Sequence, residues 1–85
     1  MFARPTAVNV KPLYPYTLEV EFDNGKKKFL DVSPFIKGTW YGEIADETYF
    51  SKAFSDGYTI AWPNGQDLCP DDVWELSKWN LVETN

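Results

Sequence analysis

Asp67, Asp71 and Asp72 bracket a Cys69-Pro70 pair late in the chain and form its densest group of side chains with chemical potential. Carboxylate oxygens suit hard cations such as calcium or magnesium. Their spacing matches no EF-hand loop, and acids at a helix start are favoured by its dipole without any metal. Paired-carboxylate hydrolysis is a second use, with Asp31, Asp67 or Asp72 as acid and base. It needs one carboxyl held protonated by burial and two held at a set separation, and no cleft is evident in the pattern. Cys69 precedes a helix start, where a thiol can become reactive, but a small buried core residue is the simpler reading. The chain has no histidine, which removes Ser-His and Cys-His pairs and any imidazole acid or base. Its single cysteine excludes an internal disulfide and the usual zinc ligand set. Gly38, Gly42, Gly57 and Gly65 lie scattered through turns rather than gathered into a phosphate-cradling loop. The expectation is a domain with no catalytic residue, no metal site and no cofactor.

Binding residues are easier to nominate. The chain carries 4 Trp, 5 Tyr and 6 Phe in 85 residues. A domain of this size buries only about 60–65% of its unfolded surface. Each aromatic can bury roughly 150–250 Å², so most of the set is expected to serve the core, Trp62 above all. Trp40 and Tyr41, on a loop between Gly38 and Gly42, and Trp74 and Trp79, on the last helix, are the candidate exposed anchors. Trp and Tyr are enriched in interface hot spots. Together with Asp67, Asp71 and Asp72 they make the candidate interaction set.

Charge favours a protein partner over a nucleic acid. The net charge of −5 divides unevenly. Residues 1–28 hold five basic and three acidic side chains, whereas residues 29–85 hold three basic and ten acidic. The acidic remainder would steer a basic partner and would repel phosphates. Lys26, Lys27 and Lys28 are expected to be solvated partners of Glu19, Glu21 and Asp23 rather than a nucleic-acid patch.

The elements that must position these residues follow from periodicity and turn chemistry. Val8 and Val10 read as a short first strand ended by Lys11-Pro12, and Tyr14-Pro15-Tyr16 as a turn or the start of an edge strand. Leu18, Val20 and Phe22 alternate with Glu19 and Glu21, the clearest strand signal present. Asp23-Asn24-Gly25 marks a hairpin. A three-residue loop with left-handed Gly25 pairs Glu21 with Lys27, Leu18 with Leu30 and Tyr16 with Val32, keeping apolar residues on one face. Ser33-Pro34 predicts a single helical turn with a serine cap, and Asp46 a cap for a second short helix bearing Tyr49 and Phe50 inward. A second hairpin is expected from Ala53-Phe54 through Ser55-Asp56-Gly57 to Tyr58–Trp62, with Tyr58, Ile60 and Trp62 on one face. Pro63-Asn64-Gly65 turns into Gln66-Asp67-Leu68. The last helix begins at Pro70, with Val73, Leu76 and Trp79 or Asn80 along one side and Lys78 near its negative end.

The resulting fold class is α+β: a small antiparallel or mixed sheet of about five or six strands, with two short helices and one C-terminal helix packed on one face. Residues 1–85 are expected to make one domain. The lack of a disulfide framework and of any long apolar run predicts a cytoplasmic location with no membrane association.

Several segments together resemble a family. These are Val8 and Val10 with Lys11-Pro12-Leu13, Tyr16-x-Leu18-x-Val20-x-Phe22-x-Asn24-Gly25, and Asp31-Val32-Ser33-Pro34. The most specific is Thr59-Ile60-x-Trp62-Pro63-Asn64-Gly65-x-Asp67-Leu68-Cys69-Pro70-Asp71. The chain resembles, over roughly Thr6 to Glu75, a small bacterial family catalogued as domain of unknown function number 2442. The resemblance implies a compact α+β fold and supplies no catalytic residues. Some relatives are joined to a helix-turn-helix DNA-binding domain, and some carry antitoxin labels through their gene neighbourhood. This chain ends soon after the Pro70 helix, so a DNA-linked role is expected to need a partner chain. Asp31, Asp67 and the tryptophan-proline turn recur in the family pattern, where they fit structural capping as well as binding.

The functional expectation is a non-enzymatic protein-interaction or regulatory module of antitoxin type. Its partner would be a basic protein or a second copy of the chain, with no direct nucleic-acid binding. The alternatives are a small-ligand or metal-assisted enzyme using Asp31, Asp67 and Asp72, and a structural homodimer that buries the surplus aromatic area.

Overall fold

Alternation of apolar and charged residues builds the centre of the molecule. The computed structural model describes residues 5–36 and 42–79. Strand β1 (Ala7–Leu13), β2 (Thr17–Phe22) and β3 (Lys27–Asp31) form an antiparallel sheet in that order. Leu18, Val20 and Phe22 face inward at 0–1% exposure, while Glu19 and Glu21 face the other way. Fully burying each such side chain contributes about 1.5–3 kcal/mol.

The β2–β3 hairpin has the three-residue loop expected of it. Glu21 pairs with Lys27 and Leu18 with Leu30, Gly25 has φ +84°, and the Val32 N–H donates to the Tyr16 carbonyl at 2.8 Å. The left-handed turn requires a residue without a Cβ penalty, and glycine supplies it.

The remaining elements are short. β4 (Phe54–Ser55) pairs with β5 (Ile60–Ala61) in a separate two-stranded sheet. Helix α1 (Glu47–Phe50) is capped by Asp46, whose Oδ1 accepts from the Thr48 N–H at 2.9 Å. Helix α2 spans Pro70–Glu75, and two 3-10 turns occupy Ser33–Phe35 and Gly42–Ala45. Core residues Ile44, Phe50, Ile60, Trp62, Leu68 and Val73 cover the inner face of the large sheet. Trp62 is 1% exposed and its Nε1–H donates to the Phe50 carbonyl at 3.1 Å, which satisfies the one polar atom of a buried indole. Among the described residues no helix is long and apolar enough to cross a membrane.

Several expectations are corrected. The α+β class holds, but among the described residues the strands divide into sheets of three and two rather than one sheet of five or six. β1 continues through Pro12, opposite Leu18; β1 is an edge strand, where a missing N–H is tolerated. Val8 falls at a register shift between Ala7 and Asn9 and is 48% exposed. Ser33 is not the cap of its turn. Asp31 Oδ1 instead accepts from the Ser33 N–H at 3.0 Å and from its hydroxyl at 2.7 Å, an aspartate turn ahead of Pro34. Tyr58 does not share the inward face of Ile60 and Trp62 and is 60% exposed. The Asp56 carboxylate draws the turn tight by accepting from the N–H groups of Tyr58 and Thr59 at 2.9 and 2.8 Å, so the turn runs longer than its Gly57 alone suggests.

Candidate functional site

Two of the candidate tryptophans, Trp74 and Trp79, meet where α2 ends. Pro70 stands in the first turn of α2 with Asp71 and Asp72, and Val73 points into the core. The helix is only six residues long, and the Leu76 N–H closes its last turn on the Asp72 carbonyl at 2.9 Å. The expected longer helix with Leu76 inward is therefore corrected: Leu76 is 51% exposed. Lys78, expected near the helix end, instead joins the edge of β3. Phe29 and Lys78 exchange N–H and carbonyl, each at 2.7 Å.

This return to β3 carries the chain over Lys28. The Lys28 Nζ donates to the Trp74 carbonyl at 2.7 Å, and the Ser77 hydroxyl donates to the same oxygen at 3.0 Å. A helix C-terminal carbonyl favours a cation, so the lysine serves as a cap supplied by a neighbouring strand. Its ammonium also lies 4.0 Å from the Trp74 ring centre and 4.9 Å from that of Trp79. Trp74 stands edge-on to Phe22 at 4.9 Å, which anchors it to the core. Trp79 stands edge-on to Trp74 at 6.1 Å. Trp79 is 52% exposed. A lysine ammonium, a half-buried indole and a surface indole form one cluster.

Lys28 corrects the reading of the lysine run as uniformly solvated. It is 7% exposed, because it stands opposite Val20 and shares the inward parity of Leu30. Lys27 keeps the expected role, with its Nζ 3.8 Å from a Glu19 carboxylate oxygen.

The other candidates are distributed. Trp40 and Tyr41 lie outside the described residues. Asp67 is exposed and forms a bridge with Ala61, on the segment that returns along β5. Asp71 is exposed and Asp72 partly so, both on α2. Among the described residues no three His, Cys, Asp or Glu side chains come together as a cation site. Cys69 is exposed rather than part of the core; its backbone starts α2, leaving its side chain outside.

The tryptophan-proline-asparagine-glycine turn supports a second constellation. The Trp62 N–H donates to the Gln66 carbonyl at 2.8 Å, and the Gly65 N–H to the Trp62 carbonyl at 3.0 Å, with Gly65 at φ +102°. Asn64 Nδ2 donates to one Glu43 oxygen at 2.6 Å and Gln66 Nε2 to the other at 2.9 Å. Tyr49 Oη donates to Gln66 Oε1 at 2.6 Å and accepts from the Asn64 N–H at 2.9 Å. Asn64, then Gln66, hold the Glu43 carboxyl below its ordinary range. Gln66 is 1% exposed, so the network supplies partners to a buried amide. Each group already has a protein partner, which suits a lock between the turn and the Gly42–Ala45 segment. Sequence pattern gives Glu43 and Gln66 no role in a site and groups Lys28 with its solvated neighbours. Inward parity on β3 was an available signal for Lys28; pairing across 21–23 residues left none for Glu43.

The family described as "Protein of unknown function (DUF2442)" matches residues 7–78. No curated protein and no solved structure matches the chain.

Proposed function

The chain belongs to the DUF2442 family of proteins of unknown function, and on that premise we propose that it is a non-enzymatic protein-interaction module. Its role is the regulatory, antitoxin-like half of a pair. The observation that carries this reading is the surface at the end of α2. Trp79 and Leu76 are 52% and 51% exposed there, and Trp79 rests on an indole that is itself anchored on Phe22. A large, rigid, half-exposed tryptophan is the side chain that contributes most when a partner desolvates it.

The chemistry of the partner follows from charge. Residues 67–79 carry Asp67, Asp71, Asp72 and Glu75 against Lys78. Asp72 and Leu76 are one helical turn apart, so the apolar anchor adjoins the acidic side chains. A protein with a basic face around an apolar pocket fits this surface, and its association should weaken with added salt.

Purification of the full chain from its native host with its bound protein, followed by titration of that protein against wild type and Trp79→Ala, tests the reading. At least tenfold weaker binding by the variant is expected for a hot-spot residue, at about 2 kcal/mol or more. Equal binding by a folded Trp79→Ala protein, or recovery of no partner, would overturn it.

A further inference from the structure

We infer that Lys28 is the positioning residue of this surface: its ammonium, seated between the end of α2 and the two indoles, holds Trp79 in the orientation a partner meets. The inference rests on the interaction reading above. A lysine whose stem merely fills a gap sends its head to water. Lys28 does the reverse. Its Nζ is turned onto the Trp74 carbonyl at 2.7 Å and lies within 5 Å of both ring centres, at 4.0 and 4.9 Å. Only 7% of the residue remains exposed.

An ammonium so placed is stabilised only while the carbonyl and the ring faces stay where they are. The paired Phe29 and Lys78 main chains hold the backbone beside Trp79, but they leave its two side-chain torsions unset. Contact with the perpendicular Trp74 ring and the Lys28 ammonium sets them. A side chain ordered before binding loses less freedom when the partner arrives, which is worth about two- to tenfold in affinity.

The full chain tests this without a partner. The Trp79 indole N–H resonance, assigned by its loss in Trp79→Phe, reports local order through its heteronuclear NOE. In Lys28→Met the stem is kept and the charge removed; the NOE should fall, and Lys28→Arg should restore it. A Trp79 indole as ordered in folded Lys28→Met as in wild type overturns the inference. Should Lys28→Met not fold, the wild-type Lys28 Hε protons give a second readout. Ring currents should move them upfield of the other lysines, and Trp79→Ala should partly reverse that shift; unshifted protons overturn the inference. With the purified partner, Lys28→Met should bind about two- to tenfold more weakly than wild type. A partner indifferent to Trp79→Ala sinks the interaction reading, whereas an unchanged Trp79 NOE in Lys28→Met sinks the positioning role alone.

Discussion

Phe29 and Lys78 exchange both main-chain hydrogen bonds, each 2.7 Å long, and this pair is what brings Trp79 back over β3. The contact covers part of an edge that would otherwise offer open N–H and carbonyl groups. It also fixes the distance between an inward lysine on β3 and the indoles that follow it. The candidate surface therefore depends on a backbone pairing more than on the short helix before it.

Replacing Lys78 with proline removes the donor of one of these bonds. Lys78→Pro should destabilise the chain by about 1–3 kcal/mol, since the Phe29 carbonyl loses its donor and the strand contact is broken. Lys78→Ala keeps the backbone donor and alters only an exposed side chain, so its effect should stay within about 0.5 kcal/mol. Urea unfolding followed by tryptophan fluorescence measures both.

Gln66 is buried inside a network rather than a greasy core. Gln66→Met leaves the Tyr49 hydroxyl without its acceptor and one Glu43 oxygen without its donor. A loss of about 1–3 kcal/mol is expected. Tyr49→Phe should act on the same network, so the double variant should be destabilised by less than the two single losses combined. Denaturant midpoints of the three variants measure the coupling.

Acid should loosen two turns. The Glu43 carboxyl is held below its ordinary value of 4.5 by Asn64 and then Gln66, and that of Asp56 below 3.8 by the N–H groups of Thr59 and then Tyr58. A carboxyl whose folded pKa is depressed stabilises the fold fully above its unfolded pKa, and that contribution is lost as pH falls through the folded value. Both groups face solvent, so the effect is small. Glu43→Gln with Asp56→Asn should give a shallower loss of thermal stability between pH 5 and the acid limit than wild type. Parallel acid limbs in the two proteins would contradict this assignment.

Local rules carried the sequence reading a long way where one face is buried. Leu18, Val20 and Phe22 with Asn24-Gly25 set the hairpin register because any shift would turn three apolar residues to water. Asp46 declared its helix through side-chain chemistry within two residues. Local pattern falls short where distant segments decide. Charge groups Lys28 with Lys26 and Lys27, although its parity matches Leu30; only the arrival of Trp74 and Trp79 gives an inward ammonium somewhere to go. Leu76 looked inward on a helix that the pairing of Lys78 with Phe29 cuts short. Cys69 looked like a core residue by type, and the start of α2 leaves it outside.

Site-specific photo-crosslinking in the native host tests the interaction surface most directly. A photoreactive amino acid is placed at Leu76, beside the acidic helix, or at Tyr14, in the turn at the opposite end of β2 from the Phe22 on which Trp74 rests. Tyr14 is 84% exposed and Leu76 51%, so exposure alone favours the control position. The account predicts one dominant adduct from Leu76 with a basic protein, lost with Trp79→Ala, and none from Tyr14. Equal adducts from both positions, or an adduct at Leu76 that survives Trp79→Ala, would contradict it.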